Sequence, residues 1–193
     1  IWDHRPELSA KPAWVLAQQY AGKCSEDKIQ DVREAMKKAH ASVHVLTSMD
    51  DIAWLLNIRG DDILYNPVVL SYVVLTMDQL YLFINEDVID GKAYPYLDNT
   101  DDTTTREYLE GIGVTIRPYD KVYDMVEGLR NEKVLLEKSR VNYAIYRLLD
   151  SSNKIIDKMN PTALMKCVKN DVEIENEKKA HIKDGVAVTK FIY

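Results

Sequence analysis

The stretch Leu70-Ser-Tyr-Val-Val-Leu-Thr-Met-Asp-Gln-Leu-Tyr-Leu-Phe-Ile-Asn85 holds two runs rich in β-branched and aromatic residues, parted by Asp78-Gln79. Runs of this length bounded by polar residues read as strands, and the break between them reads as the turn of an antiparallel hairpin. Both runs, Leu70 to Met77 and Leu80 to Asn85, are nearly continuous in apolar residues. That predicts strands covered on both faces. Upstream, Val43-His-Val-Leu-Thr47 reads as a further strand. Downstream the pattern alternates: helix from Thr104 to Glu110, strand from Val114 to Arg117, helix from Tyr119 to Arg130, strand from Lys133 to Glu137, helix from Asn142 to Leu149, strand from Lys154 to Asp157. Such alternation argues for an α/β fold with a mixed sheet and helices on both faces. Gly111-Ile-Gly113 reads as a helix terminator, and Pro161 sits where a helix begins.

Ahead of these elements, Ser25 offers a helix N-cap with Glu26 and Asp27 in the first turn, and Ile29, Val32, Met36 and Ala39 follow at helical spacing. A short helix opens on Asp50 and Asp51 and carries Ile52, Trp54, Leu55 and Leu56. Residues 1–24, with Pro6, Pro12, Trp2 and Trp14, read as an extended arm or linker whose tryptophans pack on something. The domain proper spans 25–170. From Asp171 to Tyr193 a helix is interrupted only by Gly185; its first half is charged and its second apolar, with no cap at the end. That pattern reads as a chain cut inside a helix.

A chain of 193 residues, 46% hydrophobic and 29% charged, suits one globular domain. Its formal net charge of −6 gives no electrostatic reason to expect nucleic acid or an anionic membrane as partner. No apolar run approaches the roughly 20 residues that span a bilayer. Cys24 and Cys167 lie far apart and outside metal-type spacing; they read as free thiols of a reducing compartment, with one disulfide as the alternative. The start, Ile-Trp-Asp, has no initiator Met, basic segment or apolar segment, which reads as an excised piece of a longer chain.

A catalytic metal needs three or more converging ligands. His40 and His44 have an i,i+4 spacing, but the helix ends between them, and they read as surface or half-buried. His4 lies in the arm. His181 and Asp184 share one helix face and read as solvated or as a contact to a neighbouring domain. Asp50-Asp51 read as helix-start acids, while Asp61-Asp62 and Asp101-Asp102 read as solvated turn residues. No nucleophile motif and no phosphate loop is present. The sharpest candidate is the loop Asn57-Ile-Arg-Gly-Asp-Asp-Ile-Leu-Tyr-Asn-Pro67. It follows a buried-looking helix, has a glycine hinge at Gly60, and carries Arg59, which suits a carboxylate or carbonyl. The bland reading is a structural loop whose Arg59 pairs with Asp61 or Asp62.

The stretch from Met49 to Val68, followed by Leu70-Ser-Tyr-Val, resembles a signature of the cytosolic eukaryotic-type aminopeptidase P family. So do Lys179-Ala-His-Ile-Lys-Asp-Gly-Val-Ala187 and the opening Ile-Trp-Asp-His-Arg-Pro6. The likeness covers nearly the whole chain. It implies a creatinase/prolidase N-terminal-type fold: a mixed six-stranded sheet with helices on both faces, the second domain of a three-domain parent, with 171–193 starting the first helix of the catalytic domain.

The resemblance further implies a parent that removes an N-terminal residue preceding proline, using two divalent metals, usually manganese, held by two Asp, one His and two Glu of a pita-bread domain. None of those ligands maps here, and His181 matches no catalytic histidine. No cofactor and no catalytic or metal-binding residue is therefore expected in this chain. Its implied partners are the catalytic domain of the same chain, peptides with proline in second position and, for the parent, a second copy in a homodimer; its place is the cytoplasm. The implied role is to cover the catalytic cleft and restrict it, with Asn57, Arg59 and Gly60 facing it. Two other readings stand beside this one: a creatinase-like binding module without peptidase activity, as in histone-chaperone subunits, and, more weakly, another pita-bread enzyme such as a prolidase or creatinase.

Overall fold

Side chains of the central hairpin alternate between two cores, so both its faces are covered, as its apolar runs predict. In the computed structural model, which describes residues 7, 9–97 and 102–193, the elements in chain order are β1 (Trp14–Val15), α1 (Gln18–Ala21), α2 (Ser25–Lys38), β2 (Val43–Leu46), α3 (Met49–Leu55), β3 (Ile58–Arg59), β4 (Ser71–Thr76) and β5 (Leu80–Ile84). There follow α4 (Thr105–Gly111), β6 (Val114–Pro118), α5 (Lys121–Gly128), β7 (Lys133–Leu136), α6 (Tyr143–Leu148), β8 (Lys154–Asp157), α7 (Pro161–Cys167) and α8 (Asp171–Ile192). Trp2, His4, Pro6 and Asp101 lie outside the described residues.

Six strands form one mixed sheet in the order β6-β5-β4-β2-β7-β8. β4 is antiparallel to β2 and β5, whereas the β2/β7, β5/β6 and β7/β8 pairs are parallel. One face packs Val73, Leu75, Leu80, Leu82 and Ile84 against Ile29, Val32 and Met36 of α2 and Leu109 of α4. The other packs Val74 and Phe83 against Val122 and Val126 of α5 and Ile145 of α6. The α/β class, the six-stranded mixed sheet and the helices on both faces are as the sequence implies.

Three local expectations are corrected. Residues 1–24 are not simply an arm, because their second half is built into the fold. Ala13 and Val15 are buried, β1 pairs antiparallel with β3, and Trp14 packs edge-on against Tyr96 with ring centroids 5.0 Å apart. Ser25 does not cap α2. Cys24 holds the N-cap position, and the buried Ser25 hydroxyl instead meets the Tyr108 hydroxyl of α4 at 2.8 Å. The Asn57–Gly60 segment is not only a loop, since Ile58–Arg59 forms β3 and Ile58 is fully covered.

α8 is long but sits lightly on the domain, with no buried residue. Its root is specific. Asn170 forms a reciprocal capping box with Glu173 and also donates from Nδ2 to the Ala21 carbonyl at 2.9 Å. Gly22, at φ +70°, closes α1 against the Asn170 side chain where a Cβ would not fit. Farther along, Asn176 donates to the Gln19 carbonyl at 3.1 Å.

Candidate functional site

Where α3 ends, the chain turns into β3 through Asn57, which is 3% exposed and holds a left-handed φ of +53°. Asparagine tolerates that region when its side chain bonds locally. Here Nδ2 donates to the Lys23 carbonyl at 3.0 Å and Oδ1 accepts from Lys28 Nζ at 2.6 Å. Arg59 follows two residues later. Its Nη1 donates to the carbonyls of Ala53 at 2.7 Å and Ile58 at 2.9 Å. Burial lowers the guanidinium pKa from its ordinary value, with the Glu173 carboxylate opposing; an arginine stays charged regardless. No ion pair joins Arg59 to Asp61 or Asp62 among the described residues.

Arg59 lines a cleft of about 440 Å³ with Asp50 and Trp54 of α3, Pro67, Lys169 and Glu173. Of the three residues singled out in the sequence, it alone reaches this space. Asn57 is a buried brace. At Gly60 a Cβ would lie 2.6 Å from Val69 Cγ2, so glycine is needed for close packing. The cleft can offer a fixed guanidinium, an indole face and a flanking lysine to a carboxylate or carbonyl.

Other readings of single residues change as well. Asp51 lies in the first turn of α3, as read from the sequence, and is in addition a buried carboxylate, 2.8 Å from Lys166 Nζ and 3.3 Å from Asn160 Nδ2. Asp62 is half-buried and accepts from the Leu70 amide at 2.7 Å. His44 is buried within β2, its Nδ1 on the Leu135 carbonyl at 3.0 Å, and burial lowers its pKa. Lys28 was not singled out, although Lys28, Val32 and Met36 recur every four residues and so share the buried stripe of α2.

Among the described residues no three His, Cys, Asp or Glu side chains converge to hold a metal ion. Both cysteines are free, and among the described residues no helix is long and apolar enough to cross a membrane.

Over 97% of its length the chain is 35% identical to Xaa-Pro aminopeptidase 1 of Dictyostelium discoideum, of which it covers 28%. Among solved structures it matches the X-prolyl aminopeptidase of Caenorhabditis elegans, described as a cytosolic enzyme with a di-nuclear active site. That match has a TM-score of 0.83 at 28% identity, over 99% of this chain and 30% of that one. The prolidase of Pyrococcus horikoshii shares the fold, with a TM-score of 0.53 at 17% identity over 84% of this chain and 41% of that one. The chain thus spans under a third of the length of the aminopeptidases it matches. The family model for the creatinase/prolidase N-terminal domain matches residues 4–173, and the chain belongs to that family.

Proposed function

We infer that this domain is the non-catalytic part of an Xaa-Pro aminopeptidase, and that it limits and shapes access to a catalytic cleft carried by another domain of the same chain. The observation that carries the reading is the similarity along the whole chain to about 30% of the C. elegans enzyme. The absence of any converging ligand set among the described residues supports the division of labour. On this reading the two divalent metals, manganese in the resemblance, are held by the other domain. The substrates are peptides with proline in second position, the parent works in the cytoplasm as a homodimer, and α8 leads towards the catalytic domain.

Arg59 is the residue of this domain that meets the substrate or a carboxylate of the catalytic domain. Its cleft is bordered by Glu173 at the root of α8, so it opens beside the connection between the two domains. Asn57 and Gly60 serve the same site from beneath, one as brace and one as packing contact.

The test compares this chain with its full-length gene product on an Xaa-Pro peptide with added manganese. The full-length protein should turn the peptide over and the chain alone should match a mock preparation. Turnover by the chain alone would overturn the reading. An inactive full-length protein whose downstream sequence lacks the five ligands would make this a binding module instead.

A further inference from the structure

Beneath the cleft lies a lysine that forms no ion pair among the described residues. Lys28 is 1% exposed, with its nearest polar partners a carbonyl and an amide oxygen. A buried ammonium is costly unless its donors are met and its charge is compensated. Here its Nζ donates to the Trp54 carbonyl at 2.9 Å and to Asn57 Oδ1 at 2.6 Å, and stands 4.6 Å from the centre of the Trp54 ring. Trp54 stands in the last turn of α3, and Asn57 in the turn that joins α3 to β3. Trp54 itself lines the cleft, and Arg59 is two residues beyond Asn57.

We propose that Lys28 is the positioning residue of this cleft: its ammonium, held by the Trp54 carbonyl, the Asn57 side chain and the indole face, locks the turn that aims Arg59. Asn57 holds a left-handed φ in that turn, and its side chain bonds to Lys28 and to the Lys23 carbonyl. Loss of the charge on Lys28 weakens the charge-assisted bond and removes the cation–π contact together. Burial, aided by the Arg59 and Lys23 cations and opposed by Glu173 and Cys24, pushes the Lys28 pKa down to about 8. Tyr108, whose hydroxyl reaches the Leu56 carbonyl from α4, is itself pushed up to about 12 by burial and stays neutral through that range. The charge state of Lys28 therefore changes under mildly alkaline conditions, while that of Arg59 does not.

The relevance of Arg59 to catalysis rests on the function inferred above, so the experiment reads Arg59 itself. Carbon-13 lysine and arginine resonances of this chain are followed from about pH 7 to 9, around the expected Lys28 midpoint, with Lys28 Cε and Arg59 Cζ assigned by their loss in Lys28→Met and Arg59→Ala. Both signals should move with one midpoint near 8. In Lys28→Met the Arg59 signal should be displaced and flat with pH. Should that variant fail to fold, Asn57→Asp gives Lys28 a carboxylate partner, which should raise the shared midpoint by about one unit or more. An Arg59 signal that stays still while Lys28 titrates, in wild type or in Asn57→Asp, overturns the proposal. Undiminished kcat/KM in full-length Arg59→Ala would overturn the cleft's role in catalysis and leave the positioning of Arg59 by Lys28 standing.

Discussion

Asp51 Oδ1 and Lys166 Nζ lie 2.8 Å apart, with the carboxylate side chain 1% exposed and the lysine's 28% exposed. The pair ties α3 to α7, and Asn160, just before α7, adds a bond to the same carboxylate. The asymmetry in exposure sets the outcome of substitution. Lys166→Met leaves a buried carboxylate without its cation and should destabilise the fold by roughly 3 kcal/mol, read as a lower urea midpoint at unchanged slope. Asp51→Leu combined with Lys166→Met should recover most of that loss. A double variant as unstable as the single one would show that the ion pair itself, not the orphaned charge, carries the stability.

Gly60→Ala tests the packing between the end of β3 and the segment that leads into β4. The new methyl would meet Val69 Cγ2 at 2.6 Å, and Val69 is a stiff, buried side chain. Overpacking of this kind costs about 1–3 kcal/mol. Pairing the change with Val69→Ala should relieve part of it, and a thermal melt of the three variants measures both effects.

Lys28 gives the stability a pH dependence of definite sign. Its pKa is 10.5 ordinarily and about 8 in the fold, so between those values the unfolded chain binds more protons, and stability rises with pH. The penalty is fully present below pH 8 and gone above 10.5. It amounts to about 3 kcal/mol for a shift of this size. Chemical unfolding of wild type and Lys28→Met at pH 7 and at pH 10 isolates it, since tyrosine titration is common to both. A difference that stays constant with pH would show that Lys28 is not a buried cation.

Arg59→Ala in the full-length protein should lower kcat/KM by about 10–100-fold, the loss of one charge-assisted contact. It also frees the Ala53 and Ile58 carbonyls, so some stability is lost with it. Arg59→Lys separates the two roles: it keeps the charge and gives up the fork. A turnover loss that merely tracks the fall in unfolding midpoint would leave Arg59 a structural residue.

Asn170→Ala removes both the cap of α8 and the bond to the Ala21 carbonyl. A cap of this type contributes about 1–2 kcal/mol. With no buried residue to hold the helix, amide exchange in its first turns should accelerate well beyond that of α2. Protection equal to wild type would mean that Asn176 and Gln19 alone secure the helix.

The sheet was legible because strand and helix differ in period, and a hairpin such as Leu70–Asn85 declares both faces within sixteen residues. Long-range polar partners were not. Asp51 meets Asn160 across 109 positions, and Lys28 meets Asn57 across 29. Nothing local tells a helix-start acid that is buried from one that is solvated, or a buried lysine from a surface one. Arg59 was found because a charged residue between Ile58 and Gly60 is conspicuous. Its partners were not foreseen, because Ala53 and Ile58 contribute backbone carbonyls, which every residue has.

α8 is 22 residues long, a rod of about 33 Å at 1.5 Å per residue. Fastened by Asn170 and Asn176 close to one end, it behaves as a lever. A tilt of 10° at the Asn170 root would carry its far end about 6 Å, given that length. The contact between Asn170 and Gly22 therefore acts as the bearing of that lever. Small errors there are magnified along the rod, up to Ile192 at its far end.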